Sequence, residues 1–193
     1  MKRIAIAAIA GGVIVFVWSS IAHVLLPLGE MGISTLPNEA PFIAALKGSK
    51  DGLYFFPGMD MSHKPTPEEQ KAWEAKVQAG PTGILVYSER GEAMSPRQLG
   101  SEFLSNVLAA LVAAWIASLL AAPYGRRVLA IALLGLFAWL SLTVSYWIWY
   151  RFPGSFILAE GITEVVGWLL AGLAIAKIVP RAGIIIGHGD PNG

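Results

Sequence analysis

Residues 103–122, FLSNVLAALVAAWIASLLAA, and 128–150, VLAIALLGLFAWLSLTVSYWIWY, contain no Asp, Glu, Lys, Arg or His. A helix rises about 1.5 Å per residue, so about 20 apolar residues are needed to cross roughly 30 Å of hydrocarbon. Both stretches meet that length, and a helix satisfies its own backbone polar groups where no water is present. Two further runs qualify, Ile4 to Leu28 and Ser155 to Ala176. The expected fold class is therefore an all-α membrane protein: a four-transmembrane-helix bundle with a small α+β extracytoplasmic loop region between helices 1 and 2.

The composition agrees. Over 193 residues, 55% are hydrophobic and 14% charged, against about 45–50% and 25% in soluble domains. A net charge of +1 gives no field for a polyanion, so nucleic acid is not an expected partner. The absence of cysteine removes disulfides, thiol chemistry and thiolate-held metals or clusters. With three histidines, His23, His63 and His188, a multi-imidazole metal centre is not expected either, and neither a metal nor a cofactor is assigned.

The chain divides into residues 1–28, the first transmembrane helix; 29–100, an extracytoplasmic loop region; 101–179, the remaining three helices; and 180–193, a flexible cytoplasmic tail rich in Gly and Pro. A rival reading of the first segment is a cleaved signal peptide, since Lys2-Arg3, an apolar run and the small residues Ser20 and Ala22 fit one. The apolar run continues through Val24-Leu25-Leu26, long enough to span, and favours retention. With four crossings, Lys2, Arg3, Arg126, Arg127, Lys177 and Arg181 share one side, which the positive-inside rule makes cytoplasmic. Both termini are then inside and residues 29–100 outside. Tyr146-Trp147-Ile148-Trp149-Tyr150 marks the outer headgroup level, where rings meet both lipid and water.

The long loop carries its own folding signals. Thr66-Pro67-Glu68-Glu69 is a capping residue, a proline at the first helical position and a glutamate at the third, predicting a helix to about Ala79. Asn38 or Pro37 opens a shorter helix ending near Gly48. Leu53–Phe56 and Ile84–Tyr87 are β-prone runs that can pair as two strands. Ser95-Pro96-Arg97-Gln98 repeats the capping signature, so the second long helix is expected to begin near Pro96.

Small residues recur every fourth position on two helices: Ser101, Ser105, Ala109, Ala113, Ala117 and Ala121, and Ala159, Thr163, Gly167 and Ala171. Between helices in lipid, close packing replaces the hydrophobic drive, so these read as contact faces, within the chain or between copies. Ionisable residues at membrane depth turn inward and mark candidate sites. These are His23, Glu30, Glu160 and Glu164, with Trp147 and Trp149 at the same outer end. His23 and Glu30 share a face only if the helix survives Pro27. Convergence would permit a buried ion pair or a His to Glu contact, with Ser19, Asn106, Ser145 or Trp168 as further partners, or else a small-ligand or proton site. His63, in Met59-Asp60-Met61-Ser62-His63, reads as a solvated loop histidine, and His188 lies in the tail.

No nucleophile motif, phosphate loop or dinucleotide fingerprint is present, so no catalytic residue is assigned and the chain is not expected to be an enzyme. One set of landmarks is familiar in its order: Val17-Trp18, His23, Leu26-Pro27-Leu28-Gly29-Glu30, Gly80-Pro81-Thr82-Gly83, Trp147 to Pro153, and Gly167-Trp168-Leu169-Leu170-Ala171-Gly172. In these the chain resembles a family of small, uncharacterised bacterial inner-membrane proteins with four transmembrane helices. The resemblance implies the topology and an uncleaved first helix, and no chemistry. The expected role is a non-enzymatic accessory subunit or self-associating module, in contact with membrane lipids and with a membrane-protein partner or further copies of itself. The competing role is a protein that binds, or acts on, a small molecule, lipid or quinone through an outer-leaflet pocket.

Overall fold

The computed structural model describes residues 1–181; His188 and most of the tail expected over 180–193 lie outside the described residues. Among these residues the elements run α1 (Lys2–Val24), a 3-10 turn (Pro27–Glu30), α2 (Glu39–Ala45), β1 (Gly52–Phe56), α3 (Pro67–Ala79), β2 (Gly83–Tyr87), α4 (Pro96–Leu119), α5 (Tyr124–Tyr150) and α6 (Gly154–Ile178). A π turn over Trp139–Thr143 interrupts α5. The helices α1, α4, α5 and α6 are each long and apolar enough to cross a membrane. Only 22% of the most apolar window of α5, and 39% of that of α6, is buried inside the protein. Leu108, Trp115, Leu133, Phe137, Leu169 and Leu173 all face outward, an extended apolar exterior of a kind that monomeric soluble proteins rarely expose.

The helix ends follow local chemistry. Ser95 and Gln98 form a complete capping box at the start of α4, as the sequence predicts. At its other end α4 stops at Leu119, short of Ala122, because a helix continued to Pro123 would set the proline ring against the Leu119 carbonyl four residues before it, and Leu120 is already extended. Pro27 ends the first helical run in the same way. Leu26 takes an extended conformation, α1 closes at Val24, and the shared face proposed for His23 and Glu30 does not form.

The chain separates into two compact units. The first comprises residues 1–33, 94–147 and 152 onward, and within it α6 is central, packing on α1, α5 and, less extensively, α4. All four members of its small-residue stripe, Ala159, Thr163, Gly167 and Ala171, are buried. On α4 the buried positions are instead Ala110, Ala113, Ala114 and Ala117, while Ser101 and Ser105 are exposed and Ala121 lies past the helix end. A four-residue step turns a helix by about 400°, so such a row drifts about 40° per step and slides off a straight contact face.

Glycines make the close approaches. Gly12 of α1 lies against the backbone of Val107 on α4, where an added Cβ would stand 2.7 Å from the Val107 Cα. Elsewhere a tryptophan ring fills the notch a glycine leaves: Trp18 over Gly167, Trp139 over Gly161 and Trp168 over Gly135. Two of these indoles also donate to helix carbonyls of α6, Trp18 Nε1 to Thr163 O at 2.9 Å and Trp139 Nε1 to Ile157 O at 2.8 Å. Each ring thus buries its apolar body while its N–H finds an acceptor on the neighbouring helix.

At the other end of this unit Arg127, in the first turn of α5, is 2% exposed. Its Nη2 donates to Val179 O at 2.8 Å, which places a cation at the C-terminal end of α6, where the last carbonyls lack helical partners. The sequence reading counted Arg127 as a topological charge alone; its side chain is also part of the packing.

The second unit comprises residues 34–93 with 148–151. The strands β1 and β2 pair antiparallel, Gly52 opposite Tyr87 and Phe56 opposite Gly83, as the two β-prone runs predict. Asp51 accepts from the Glu89 amide at 2.8 Å and the Ser88 hydroxyl at 3.1 Å, fastening the open end of the ladder. Thr66 and Glu69 cap α3 reciprocally, and Trp73 of α3 donates to Pro57 O at 3.0 Å, tying the helix to the segment after β1. Residues 29–33 and 94–100, which the sequence assigned to the loop region, belong to the helical unit. There the 3-10 turn packs on α1 and α6, and α4 begins at Pro96.

Candidate functional site

His23 lies in the last turn of α1. Its Nδ1 is 2.9 Å from Ser19 O, an acceptor-only partner, so Nδ1 carries the proton and Nε2 is left free to turn outward. Nε2 then stands 3.9 Å from Glu160 Oε1 of α6, both side chains being part-exposed. That distance is too long for a hydrogen bond and short enough for attraction when the imidazole is protonated.

One turn further along α6, Glu164 accepts from Trp168 Nε1 at 3.0 Å. It forms no ion pair among the described residues; the indole is its partner. Glu102 of α4 lies close enough to Glu164 to interact electrostatically, and itself accepts from Asn106 Nδ2 at 3.2 Å. The helices α1, α4 and α6 thereby place one imidazole and three carboxylates in one region of the helical unit. Glu102 was missed because it stands one residue before the apolar run that begins at Phe103. The capping signature at Ser95 already put it two turns inside a helix.

Of the six residues singled out from sequence, His23, Glu160 and Glu164 belong to this cluster. Glu30 sits in the 3-10 turn with an exposed carboxylate that makes no hydrogen bond or ion pair to the described residues. Trp147 is 55% exposed on α5, and Trp149, 77% exposed, belongs to the second unit. Of the further partners considered, Ser19, Asn106 and Trp168 take part, whereas the Ser145 hydroxyl turns to Ser141 O within its own helix.

Glu164→Gln keeps an acceptor for the Trp168 indole and should leave stability within about 0.5 kcal/mol of the parent. Glu164→Leu strands the N–H and should cost about 1–3 kcal/mol. Thermal melting of both variants in detergent checks this; equal losses would make the charge of Glu164, rather than its acceptor, the important property.

The second unit holds two clefts. The smaller, of about 190 Å³, is bordered by Asp60, His63 and Glu69. His63 is not merely solvated: Nε2 lies 3.2 Å from Glu69 Oε2, and Nδ1 is 3.9 Å from Asp60 Oδ2. Donation from the Thr66 amide, then from His63, holds the Glu69 carboxyl below the usual glutamate range, and the Ser62 amide does the same for Asp60. A depressed folded-state value means that the contribution is present above the unfolded carboxylate range and is lost as pH falls through the lowered values. The first turn of α3 should therefore loosen in acid, below about pH 4. Carbon-13 titration should give midpoints for Asp60 and Glu69 under those of short peptides, and peptide-like midpoints would remove the basis for this expectation.

The larger cleft, of about 320 Å³, lies between β1, the start of β2, α3 and the last residues of α5. Its walls are aromatic, and Arg151 stands at its edge with Nη1 3.4 Å from Thr82 Oγ1. Arg151 holds a left-handed backbone conformation, φ 59°, which is sterically costly for a residue with a Cβ. Among the described residues no three His, Asp or Glu side chains form a group suited to a metal ion.

No protein-family model matches the chain, and neither a curated protein nor a solved structure shows significant similarity to it.

Proposed function

We propose that the chain is a four-span integral membrane protein of a bacterial inner membrane, with both termini cytoplasmic and residues 29–100 outside. In this reading it acts without catalysis, as an accessory subunit or self-associating module. The observation that carries it is the contrast between the two faces of the long helices. Their exteriors are apolar and uncovered, while His23 Nδ1 and the Glu164 carboxylate hold hydrogen bonds within the protein. An acid or base committed to such contacts serves packing rather than turnover. The orientation rests on the common side of Lys2, Arg3, Arg126, Arg127, Lys177 and Arg181, and the bacterial setting on the resemblance noted above.

Native mass spectrometry of the protein extracted gently from its own membrane tests the role. A co-purifying protein or a defined homo-oligomer is the expected result; a bare monomer without either would overturn it. A second reading, a binding protein for a lipid or other small molecule, is favoured by the aromatic cleft beside Arg151, and a retained small-molecule mass would support it.

A further inference from the structure

We propose that the cleft between β1, β2, α3 and the end of α5 binds the phosphate of an anionic phospholipid headgroup, with Arg151 and Thr82 as its receptor. The inference deepens the binding reading and rests on α5 crossing the membrane.

The polar side of the argument is the donor set. The Arg151 guanidinium has no carboxylate partner among the described residues, and its one hydrogen bond, to the Thr82 hydroxyl oxygen, is long at 3.4 Å. Most of its five donors are therefore uncommitted, and their planar fork matches the oxygens of a phosphate. Because Thr82 Oγ1 accepts from Arg151, its own O–H is left to donate, so two neighbouring side chains of the cleft wall each retain a donor. A strained left-handed backbone at the arginine that supplies this charge is the kind of outlier that accompanies a binding site.

The apolar side is the wall. Phe55, Phe56, Trp73 and Tyr150 line the same cleft, and with the Trp73 indole N–H already spent on Pro57 O, Phe55, Phe56 and Trp73 contribute ring surface rather than donors. A free inorganic anion would gain nothing from these rings, whereas the glycerol and first acyl carbons of a lipid would. The volume, about 320 Å³, is at the lower end of small-molecule sites and holds a headgroup with the start of its chains rather than a whole lipid.

The choice of a lipid over a soluble phosphate ester follows from where the wall comes from. Trp149, Tyr150 and Arg151 are the last residues of a 27-residue apolar helix and its immediate successor. A helix that spans the hydrocarbon delivers its terminal aromatic residues to headgroup level. Arginine at that level meets phosphates at high local concentration.

The test uses the full-length chain in detergent, titrated with dioleoylphosphatidylglycerol or dioleoylphosphatidylcholine and read by native mass spectrometry. The parent should retain one phosphatidylglycerol per chain at least tenfold more tightly than phosphatidylcholine. Arg151→Gln, which carries the same backbone strain, should lose at least tenfold of that retention, and Thr82→Val should lose severalfold, with lipid-free melting unchanged. Glycerol phosphate should not compete. Parent-like retention in both variants would overturn the proposal, and so would equal competition by glycerol phosphate, which would make the site one for a soluble ester with idle aromatic walls. If Arg151→Gln melts early, Thr82→Val decides alone. Labelling of Gly125→Cys across intact membranes reports the crossing of α5 separately. Lost lipid selectivity with correct topology therefore counts against the cleft and not against the membrane reading.

Discussion

Gly12→Ala is expected to destabilise the protein by about 1–3 kcal/mol, the range for overpacking a close contact. At a solvent-exposed helical site the same change stabilises by about 1 kcal/mol, because alanine is the better helix former, so the sign of the effect is diagnostic. The added Cβ would lie 2.6 Å from Val107 Cγ2, 2.7 Å from Val107 Cα and 2.8 Å from Val107 N. A side-chain tip can swing away from such a contact, but backbone atoms cannot without parting α1 from α4. Gly125→Ala, in the first turn of α5 with nothing within 4 Å, is the matched control and should be neutral or slightly stabilising. Thermal melting in one detergent compares them; a Gly12→Ala melting point at or above the parent's would contradict the packing of α1 on α4.

Arg127 is expected to be the most sensitive charged residue of the helical unit. It is almost fully buried, donates through Nη2 to Val179 O, and leaves Nε without a partner. Arg127→Ala removes a charge-assisted hydrogen bond of about 1.5–3 kcal/mol and opens a cavity. Arg127→Met keeps most of the volume and removes the unsatisfied donor, so it should lose distinctly less. Arg126, adjacent but exposed, should tolerate alanine to within about 0.5 kcal/mol. Equal melting of Arg127→Ala and Arg126→Ala would contradict a packing role for the Arg127 side chain.

What the sequence could reveal depended on whether the cause was local. Both capping boxes, at Thr66 and Ser95, are written in four consecutive residues each, and both appear in the structure. The four long helices are equally legible, since apolar length is a property of one segment. Contacts between segments are not. The small-residue row of α4 looked continuous from Ser101 to Ala121 because a four-residue period is easy to see, but the helix turns every 3.6 residues and only the middle of the row stays against α1. The glycine notches under Trp18, Trp139 and Trp168 join residues far apart in the chain, and nothing near either member announces the other.

The polar cluster divides in the same way. His23, Glu160 and Glu164 could be singled out because each is an ionisable residue in an apolar run. A His to Glu contact and Trp168 as a partner were among the sequence's options; that Glu160 is the one beside His23 and that Trp168 serves Glu164 emerged from the fold. Glu30 was set beside His23 on the condition of a continuous helix, and Pro27 broke that condition. Glu69 as the partner of His63 was hidden behind its evident role as a cap: one carboxylate accepts from the Thr66 amide at 2.8 Å and approaches the imidazole at 3.2 Å.

The central claim, that this chain crosses the membrane four times with its long loop outside, is open to a direct measurement because the protein has no cysteine. Gly91, Gly125 and Gly154 each have room for a side chain and lie in the long loop, in the first turn of α5 and at the start of α6. Single cysteines at these positions, probed in intact cells with a membrane-impermeant maleimide, should label at Gly91→Cys and Gly154→Cys, and at Gly125→Cys only after permeabilisation. Labelling of all three from outside, or release of the protein from membranes by alkaline carbonate, would contradict the four-span account.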